Sequence, residues 1–179
     1  MTHRFIRTAI IFGAVAALVP GVVLGGELAK KGSTSYTTHY IFHPVGITET
    51  PGVGKISALI LLGNTTNTEG QPAFDKMTVK CHAIKVETDG KMYLDGACAM
   101  TDDDGDTVFS TFDSRELDKS QPKMDCGTHF IIGGTGKYKG ITGTEPFACI
   151  FKPTPAGVPP SSFNPYAVEV LHKTTWEIK

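Results

Sequence analysis

The sequence THFIIGGTGKYKGITGTEPFACIF, residues 128–151, decides the fold of this chain. An apolar run, His129–Ile132, leads into a loop with closely spaced glycines, and a second run of strand-like composition follows. The glycines are Gly133, Gly134, Gly136 and Gly140. Glycine adopts backbone angles that a Cβ forbids and lets neighbouring backbones approach closely. The stretch therefore predicts two antiparallel strands joined by a turn, which we call the glycine corner (residues 133–140).

The glycine corner does not match a nucleotide-binding loop. A P-loop requires Ser or Thr directly after its Gly-Lys pair, and this chain has Tyr138 there. The dinucleotide-binding pattern, counted from Gly134, requires a glycine where this chain has Lys139. We therefore predict a structural corner of a β-barrel and no phosphate site.

The dipeptide Asp89-Gly90 predicts a β-hairpin with a two-residue turn. Thr88 then lies opposite Lys91, and the same register places Cys81 opposite Cys98. This position is not hydrogen-bonded across the strands, so its Cα atoms approach to about 4.5 Å and a direct disulfide is feasible. Two free buried thiols are the alternative.

The other two cysteines, Cys126 and Cys149, lie on the two strands that flank the glycine corner. Antiparallel return from the corner brings them to within a residue or two of the same level, which together with elimination predicts a second disulfide. Disulfides form and persist in oxidising compartments, so this pairing fits an exported protein.

Residues 1–26 have the composition of a secretory signal peptide. Arg4 and Arg7 form the basic start, residues 9–24 the apolar centre, and Gly25 and Gly26 the small residues at its end. An uncleaved membrane anchor is the alternative, and we expect membrane contact only in that case. Residues 27–179 then form a single domain that is secreted or periplasmic.

Removal of the signal takes away two arginines and no acid, which leaves a net charge of −3. A nearly neutral chain lacks the electrostatic footprint of a nucleic-acid-binding protein, so no nucleic-acid partner is expected. The oligomeric state is not indicated by the sequence.

The rest of the chain has β patterning. Candidate strands include the alternating Ser35–His43, the nearly continuous apolar Lys55–Gly63, and Ala167–Ile178, in which Val168, Val170, His172, Thr174, Trp176 and Ile178 share a face. Pro44–Gly54 is expected to be a turn-rich link, Asn64–Phe74 an exposed loop, and the proline-rich residues 153–165 a long loop over one barrel end. Eight candidate strands with hairpin turns predict an all-β fold, an eight-stranded antiparallel β-barrel of calycin-like type.

A family resemblance supports the same fold. FIIGGTGKYKGITG, residues 130–143, resembles the glycine-rich segment of plant allene oxide cyclases, dirigent proteins and their small secreted bacterial relatives. In the bacterial group an acidic hairpin such as DDDGD, here residues 102–106, precedes that segment. The resemblance covers roughly residues 77–151 and implies an eight-stranded antiparallel barrel around an apolar cavity.

The chain departs from the family at its catalytic positions. Plant allene oxide cyclases carry a glutamate and an asparagine on their first strand, and SYTTHYIFHPV, residues 35–45, has neither. Dirigent proteins carry an arginine shortly after the glycine segment, where this chain has Ile141-Thr142. No catalytic residue is therefore assigned from the resemblance.

Metal and nucleophile motifs are not found in the sequence. The acids of residues 102–106 lack the alternate spacing of an EF-hand and predict a solvated turn, with weak calcium binding as the alternative. The histidine spacings match no zinc motif, so neither a metal nor a cofactor is predicted. Strand residues with suitable polar groups are the candidate ligand-binding set: Tyr36, His39, Tyr40, Tyr93 and Asp95.

Three functional hypotheses follow. The first is a secreted binding protein whose barrel takes a small apolar or aromatic ligand, because an eight-stranded barrel holds side chains or one small ligand. The second, implied by the resemblance, is a cofactor-independent cyclase or isomerase. The third is a structural or partner-binding envelope protein.

Overall fold

The computed structural model describes residues 28–89, 91–114, 123–151 and 167–179. Eight antiparallel strands close into a barrel in which each strand pairs with the next and the last pairs with the first. The strands are β1 (Lys31–Thr50), β2 (Gly54–Asn67), β3 (Thr78–Thr88), β4 (Lys91–Thr101), β5 (Thr107–Ser114), β6 (Lys123–Gly134), β7 (Ile141–Phe151) and β8 (Ala167–Ile178). The predicted eight-stranded barrel is confirmed. The predicted signal peptide and the loop at 153–165 lie outside the described residues.

Alternation along the strands separates the interior of the barrel from its outer face. On β1, Tyr36, Thr38 and Tyr40 are buried, whereas His39 and Ile41 between and after them are exposed. The other strands follow the same period of two, which is the period at which strand side chains change face. The buried apolar residues therefore form one core cluster inside the described barrel. No helix within the described residues has the length and apolarity to cross a bilayer.

The hairpin of β3 and β4 has the predicted register. Thr88 pairs with Lys91 and Cys81 with Cys98, and the two cysteines form a disulfide with a Cα–Cα distance of 4.0 Å. The second disulfide, Cys126–Cys149, joins β6 to β7 beside a register shift in β6. All four cysteines are at most 6% exposed, so both disulfides lie on the interior face of the barrel.

The glycine corner joins β6 to β7 through a short 3-10 helix, Gly136–Tyr138. Gly136 has φ of 49°, and a Cβ there would lie 1.7 Å from Oδ1 of Asp106. The other carboxylate oxygen of Asp106 accepts a hydrogen bond of 3.0 Å from the backbone N–H of Lys137. The corner therefore requires glycine because its backbone rests against the acidic hairpin.

Lys137 connects the glycine corner to the acidic hairpin, residues 102–106. Its Nζ lies 2.8 Å from Oδ2 of Asp102 and 2.9 Å from Oδ2 of Asp104. Hydrogen bonds to these two carboxylates raise the pKa of Lys137. Burial opposes ionisation of Asp102, but the hydrogen bond from Lys137 leads the effects that lower the pKa of this carboxyl overall. The Lys137 ammonium group thus provides the positive charge that pairs with the carboxylates of this turn.

Two loop predictions are wrong. Pro44–Gly54 is mostly strand, because β1 continues to Thr50. The strand accommodates the proline through a shift in its pairing with β2 between Pro44 and Gly46. Asn64–Phe74 is not an exposed loop: β2 continues to Asn67, and Phe74 is fully buried with φ of 56°. The apolar Phe74 ring packs inside one end of the barrel. The free energy gained by burying this ring outweighs the preference of its polar neighbours for an exposed loop.

Candidate functional site

A buried carboxylate lies at the centre of the barrel. Glu145 on β7 shares the inward face with Ile141, Phe147 and Cys149, and its side chain is 1% exposed. The β7–β8 ladder passes from Thr144–Thr175 to Phe147–His172 without pairs between them. Pro146, which has no N–H to donate, accounts for this gap. Alternation thus places a charged side chain in the core.

Groups from two other strands surround the Glu145 carboxylate. The Tyr36 hydroxyl donates a hydrogen bond of 2.6 Å to Oε2, and the Thr174 hydroxyl donates to the same oxygen. Nδ1 of His172 lies 2.8 Å from Oε1. A buried carboxylate is costly unless hydrogen bonds or an opposite charge compensate it, and these contacts provide that compensation.

His172 contacts Glu145 through one nitrogen of its ring. Its Nδ1 forms the 2.8 Å ion-pair contact with Oε1, whereas its Nε2 has no hydrogen-bond partner among the described residues. The ring is 3% exposed and stacks on Tyr36 with 4.6 Å between ring centroids. A buried imidazole in this state has unsatisfied hydrogen-bonding capacity.

His129 on β6 lies directly across from Glu145 on β7. Its Nδ1 is 3.2 Å from the Ser110 hydroxyl. The ring packs among Phe112, Phe147 and His172, at centroid distances of 5.0, 4.9 and 5.5 Å. The polar cluster is therefore enclosed by aromatic rings.

Burial and the neighbouring charges shift the pKa values of the cluster. Burial lowers the pKa of His129 to about 4, with His172 acting in the same direction and Glu145 against it. Burial alone would raise the pKa of Glu145, but the two histidines and the Thr174 hydroxyl outweigh it and lower the pKa. Burial, reinforced by Glu145, raises the pKa of Tyr36 and of Tyr40. Glu145 is thus the anionic centre of the cluster at neutral pH.

His129, Glu145 and His172 together offer three metal-ligating atoms that all lie within 4.8 Å of one another. The three residues come from the adjacent strands β6, β7 and β8, and all are buried. Two imidazoles and one carboxylate are a ligand set that first-row transition metals use in proteins.

The structure brings together only part of the predicted ligand-binding set. Tyr36 and Tyr40 lie inside the barrel, with the Tyr40 hydroxyl 3.8 Å from Sγ of Cys81. His39 is exposed on the outer face. Tyr93 and Asp95 alternate with the inward residues of β4, so they also face outward, and Asp95 accepts a hydrogen bond from the Ser114 N–H.

The polar residues closest to the centre, Glu145, His129 and His172, were not in the predicted set. The sequence contained a signal for two of them: Glu145 alternates with the apolar Phe147 and Cys149, and His172 alternates with Val168 and Val170. Ionisable residues within such apolar alternation point to buried polar groups.

One end of the barrel is closed by the connection between β2 and β3. Phe74 from this connection stacks on Tyr36 and meets Trp176 edge-on, with centroid distances of 5.8 and 5.3 Å. The side-chain amide of Asn67 ties the connection down by donating to Thr34 Oγ1 and to the carbonyl of Ala73. Access to the polar cluster from this end is blocked.

Comparisons with known proteins find similarity among solved structures. No protein-family model matches the chain, and no curated protein matches it in sequence. A solved structure of a pterocarpan synthase dirigent protein is 16% identical, with a TM-score of 0.48 over 90% of this chain and 98% of the other. The eight-stranded antiparallel barrel of this chain is established by its own strand pairing.

Proposed function

We propose that this protein is exported and binds a small, largely apolar or aromatic molecule inside its barrel, beside His172. The observation that carries the proposal is Nε2 of His172, which is buried without a hydrogen-bond partner among the described residues. The two disulfides support export, because such bonds persist in oxidising compartments.

The surroundings of His172 support an apolar ligand with one polar group. A buried polar atom without a partner costs about 1–3 kcal/mol, and a ligand that supplies the missing hydrogen bond recovers this free energy. The adjacent rings are aromatic, with Tyr36 at 4.6 Å and Phe147 at 6.0 Å from the His172 centroid. Mainly apolar walls with a few oriented polar groups are typical of small-molecule sites.

The closed end of the barrel favours one direction of entry. Phe74 blocks the end at which β2 and β3 are connected. The ligand therefore enters from the opposite end, where β1 joins β2 and β3 joins β4 through short turns.

Native mass spectrometry of protein purified from the medium or periplasm tests the proposal. We expect a co-purifying small molecule in the wild type and in His39→Phe, whose site is on the outer face, and its loss in His172→Phe. Near-UV circular dichroism would establish that each variant folds, and His172→Gln, which keeps a polar group, would retain part of the ligand. Wild-type protein that is free of any ligand, or unchanged retention in folded His172→Phe, contradicts the proposal.

A second candidate is a cofactor-independent cyclase or isomerase, which the same interior favours. Tyr36 and Glu145 place a phenol and a carboxylate in direct hydrogen-bond contact within an apolar interior, the types of group that acid–base isomerisation uses. If this candidate holds, the captured molecule supplied in excess is converted to an isomer of equal mass with a changed chromatographic retention. If the molecule is recovered unchanged, the protein is a binding protein.

A further inference from the structure

We infer that His129, Glu145 and His172 form a binding site for one divalent first-row transition metal ion, of the class of Zn²⁺ or Fe²⁺. The inference goes beyond the proposed binding of an organic molecule and does not depend on it. No spacing in the sequence suggested this site, because each ligand comes from a different strand.

The three residues provide a suitable set of donors. Their ligating atoms lie within 4.8 Å of one another, and the residues are 5%, 1% and 3% exposed. Two histidines with one carboxylate bind zinc in hydrolases and iron in oxygenases. Ligand atoms around one ion are about 3–4 Å apart, since metal–ligand bonds are about 2.0–2.2 Å long. Metal binding would therefore require only small movements of the three side chains.

The contact between His172 and Glu145 is a separate observation that supports a metal ion. Nδ1 and Oε1 are 2.8 Å apart in the barrel interior, so these are the atoms with which the two side chains face each other. Two atoms that ligate one ion are about 3–4 Å apart, so a small separation of these two side chains would place both atoms at ligand distance from the same ion. This geometry assigns Nδ1 of His172 and Oε1 of Glu145 as neighbouring ligands.

The partners of the other atoms in the cluster fit the outer shell of a metal site. Ser110 lies beside Nδ1 of His129, which leaves Nε2 of that ring for the metal. Tyr36 and Thr174 both donate to Oε2 of Glu145, which leaves Oε1. Hydrogen bonds to the far side of metal ligands orient them and tune their basicity.

The metal site and the proposed organic ligand use different atoms of His172. The ion takes Nδ1, and Nε2 remains for a polar group of the small molecule. Either property can therefore be present without the other.

Binding of Co²⁺ and Zn²⁺ to chelator-treated protein tests the inference. Because the site is buried, each metal is added both to the folded protein and during refolding. We expect one ion per chain by native mass spectrometry, with visible ligand-field absorption for Co²⁺. Glu145→Gln and His129→Phe should weaken binding at least ~100-fold, whereas His39→Phe and His43→Phe, on the outer face, should bind like the wild type.

Ser110→Ala provides a variant that keeps all three ligands. It should bind Co²⁺ about 10-fold more weakly, because the orientation of His129 is lost. Wild-type protein that binds neither metal overturns the inference, as does unchanged affinity in a folded Glu145→Gln variant. Small-molecule capture is measured separately in the metal-free protein, so failure of the metal site is distinguishable from failure of the proposed function.

Discussion

Glu145 is the residue whose environment explains most of the interior. A carboxylate in an apolar core is tolerated only when hydrogen bonds and neighbouring groups replace water. Two hydroxyl donors on one oxygen and His172 beside the other fulfil this condition. Removal of a donor should therefore destabilise the fold more than removal of a similar hydroxyl elsewhere in the core.

Tyr36→Phe tests the importance of the hydroxyl donor to Glu145. We expect the free energy of unfolding to fall by about 2 kcal/mol, because the lost hydrogen bond is to a charged group. Tyr40→Phe is the matched control: Tyr40 is also buried, but a sulfur atom at 3.8 Å is a weak partner, so its loss should cost less than about 1 kcal/mol. Equal urea midpoints for the two variants would contradict this interpretation of the cluster.

Acid should destabilise the metal-free protein through His129. Between pH 6.5 and pH 4 the unfolded chain binds a proton on this residue that the folded protein does not, so stability falls as the pH decreases. The difference in pKa corresponds to a loss of about 3 kcal/mol across this window. The lowered pKa of Glu145 adds a loss of the same sign below its unfolded value of 4.5.

Urea unfolding curves at several pH values measure this dependence. His129→Gln should flatten the part between pH 6.5 and pH 4, whereas His82→Gln, on the exposed side of β3, should leave it unchanged. A wild-type stability that is constant over this window would show that His129 is protonated in the folded state.

Which residues face inward follows from alternation, and this part of the site was available in the sequence. The contact of Glu145 with His129 and His172 could not be predicted from the sequence, because it depends on the registers of β6, β7 and β8. A register shift in β6 between Asp125 and Gly127 sets the β6–β7 pairing at the site, whereas β7 and β8 keep one register on both sides of the gap around Pro146. The chemistry of the site is therefore a product of long-range pairing.

At the scale of elements, the glycine corner and the acidic hairpin act as one unit. The Asp106 carboxylate accepts a hydrogen bond from the backbone N–H of Lys137, and the Lys137 side chain forms ion pairs with Asp102 and Asp104. The Thr135 N–H also donates to the carbonyl of Thr107 at 2.8 Å. These contacts give a physical reason for the two motifs to occur together.

Gly136→Ala should destabilise the protein more than Gly105→Ala. Both glycines have positive φ, so each alanine costs about 1–2 kcal/mol in backbone strain. Only at Gly136 would the added Cβ also collide with Asp106, whereas the corresponding space at Gly105 is open. Thermal unfolding should separate the two variants by several degrees; indistinguishable midpoints would mean that the two turns are not in firm contact.

Lys137→Met should remove the ion pairs while keeping most of the side-chain volume. Lys137 is partly exposed, so we expect a loss of only about 0.5–1 kcal/mol, and the difference from wild type should shrink in high salt. Lys139→Met, an exposed change in the same turn, serves as the control. A larger loss at high salt than at low salt would argue against an electrostatic role.

The hairpin elements were more predictable than the loops. Asp89-Gly90 alone determines the register from Thr88–Lys91 to Cys81–Cys98, because a two-residue turn leaves no freedom in pairing. Phe74 was assigned to an exposed loop because its neighbours are polar. Its burial depends on the interior that the whole barrel provides, which no local pattern contains.

At the scale of the molecule, the two disulfides tie two separate pairs of neighbouring strands, β3 to β4 and β6 to β7. The Cys81→Ala/Cys98→Ala double variant should lose about 3 kcal/mol of stability, because the bond closes a short loop in the unfolded chain. Urea unfolding measures the loss, with the reduced wild type as a reference. A double variant as stable as the oxidised protein would show that the Cys81–Cys98 disulfide adds nothing to the stability of the paired strands.

The inward orientation of all four cysteines has a consequence for how the protein responds to thiols. A reductant reaches these sulfur atoms only after the barrel has opened, since none of the cysteines is more than 6% exposed. The rate at which dithiothreitol reduces the native protein should therefore level off at the rate of spontaneous opening as the reagent concentration increases. The limiting rate of disulfide reduction would in this way measure how often the closed barrel opens.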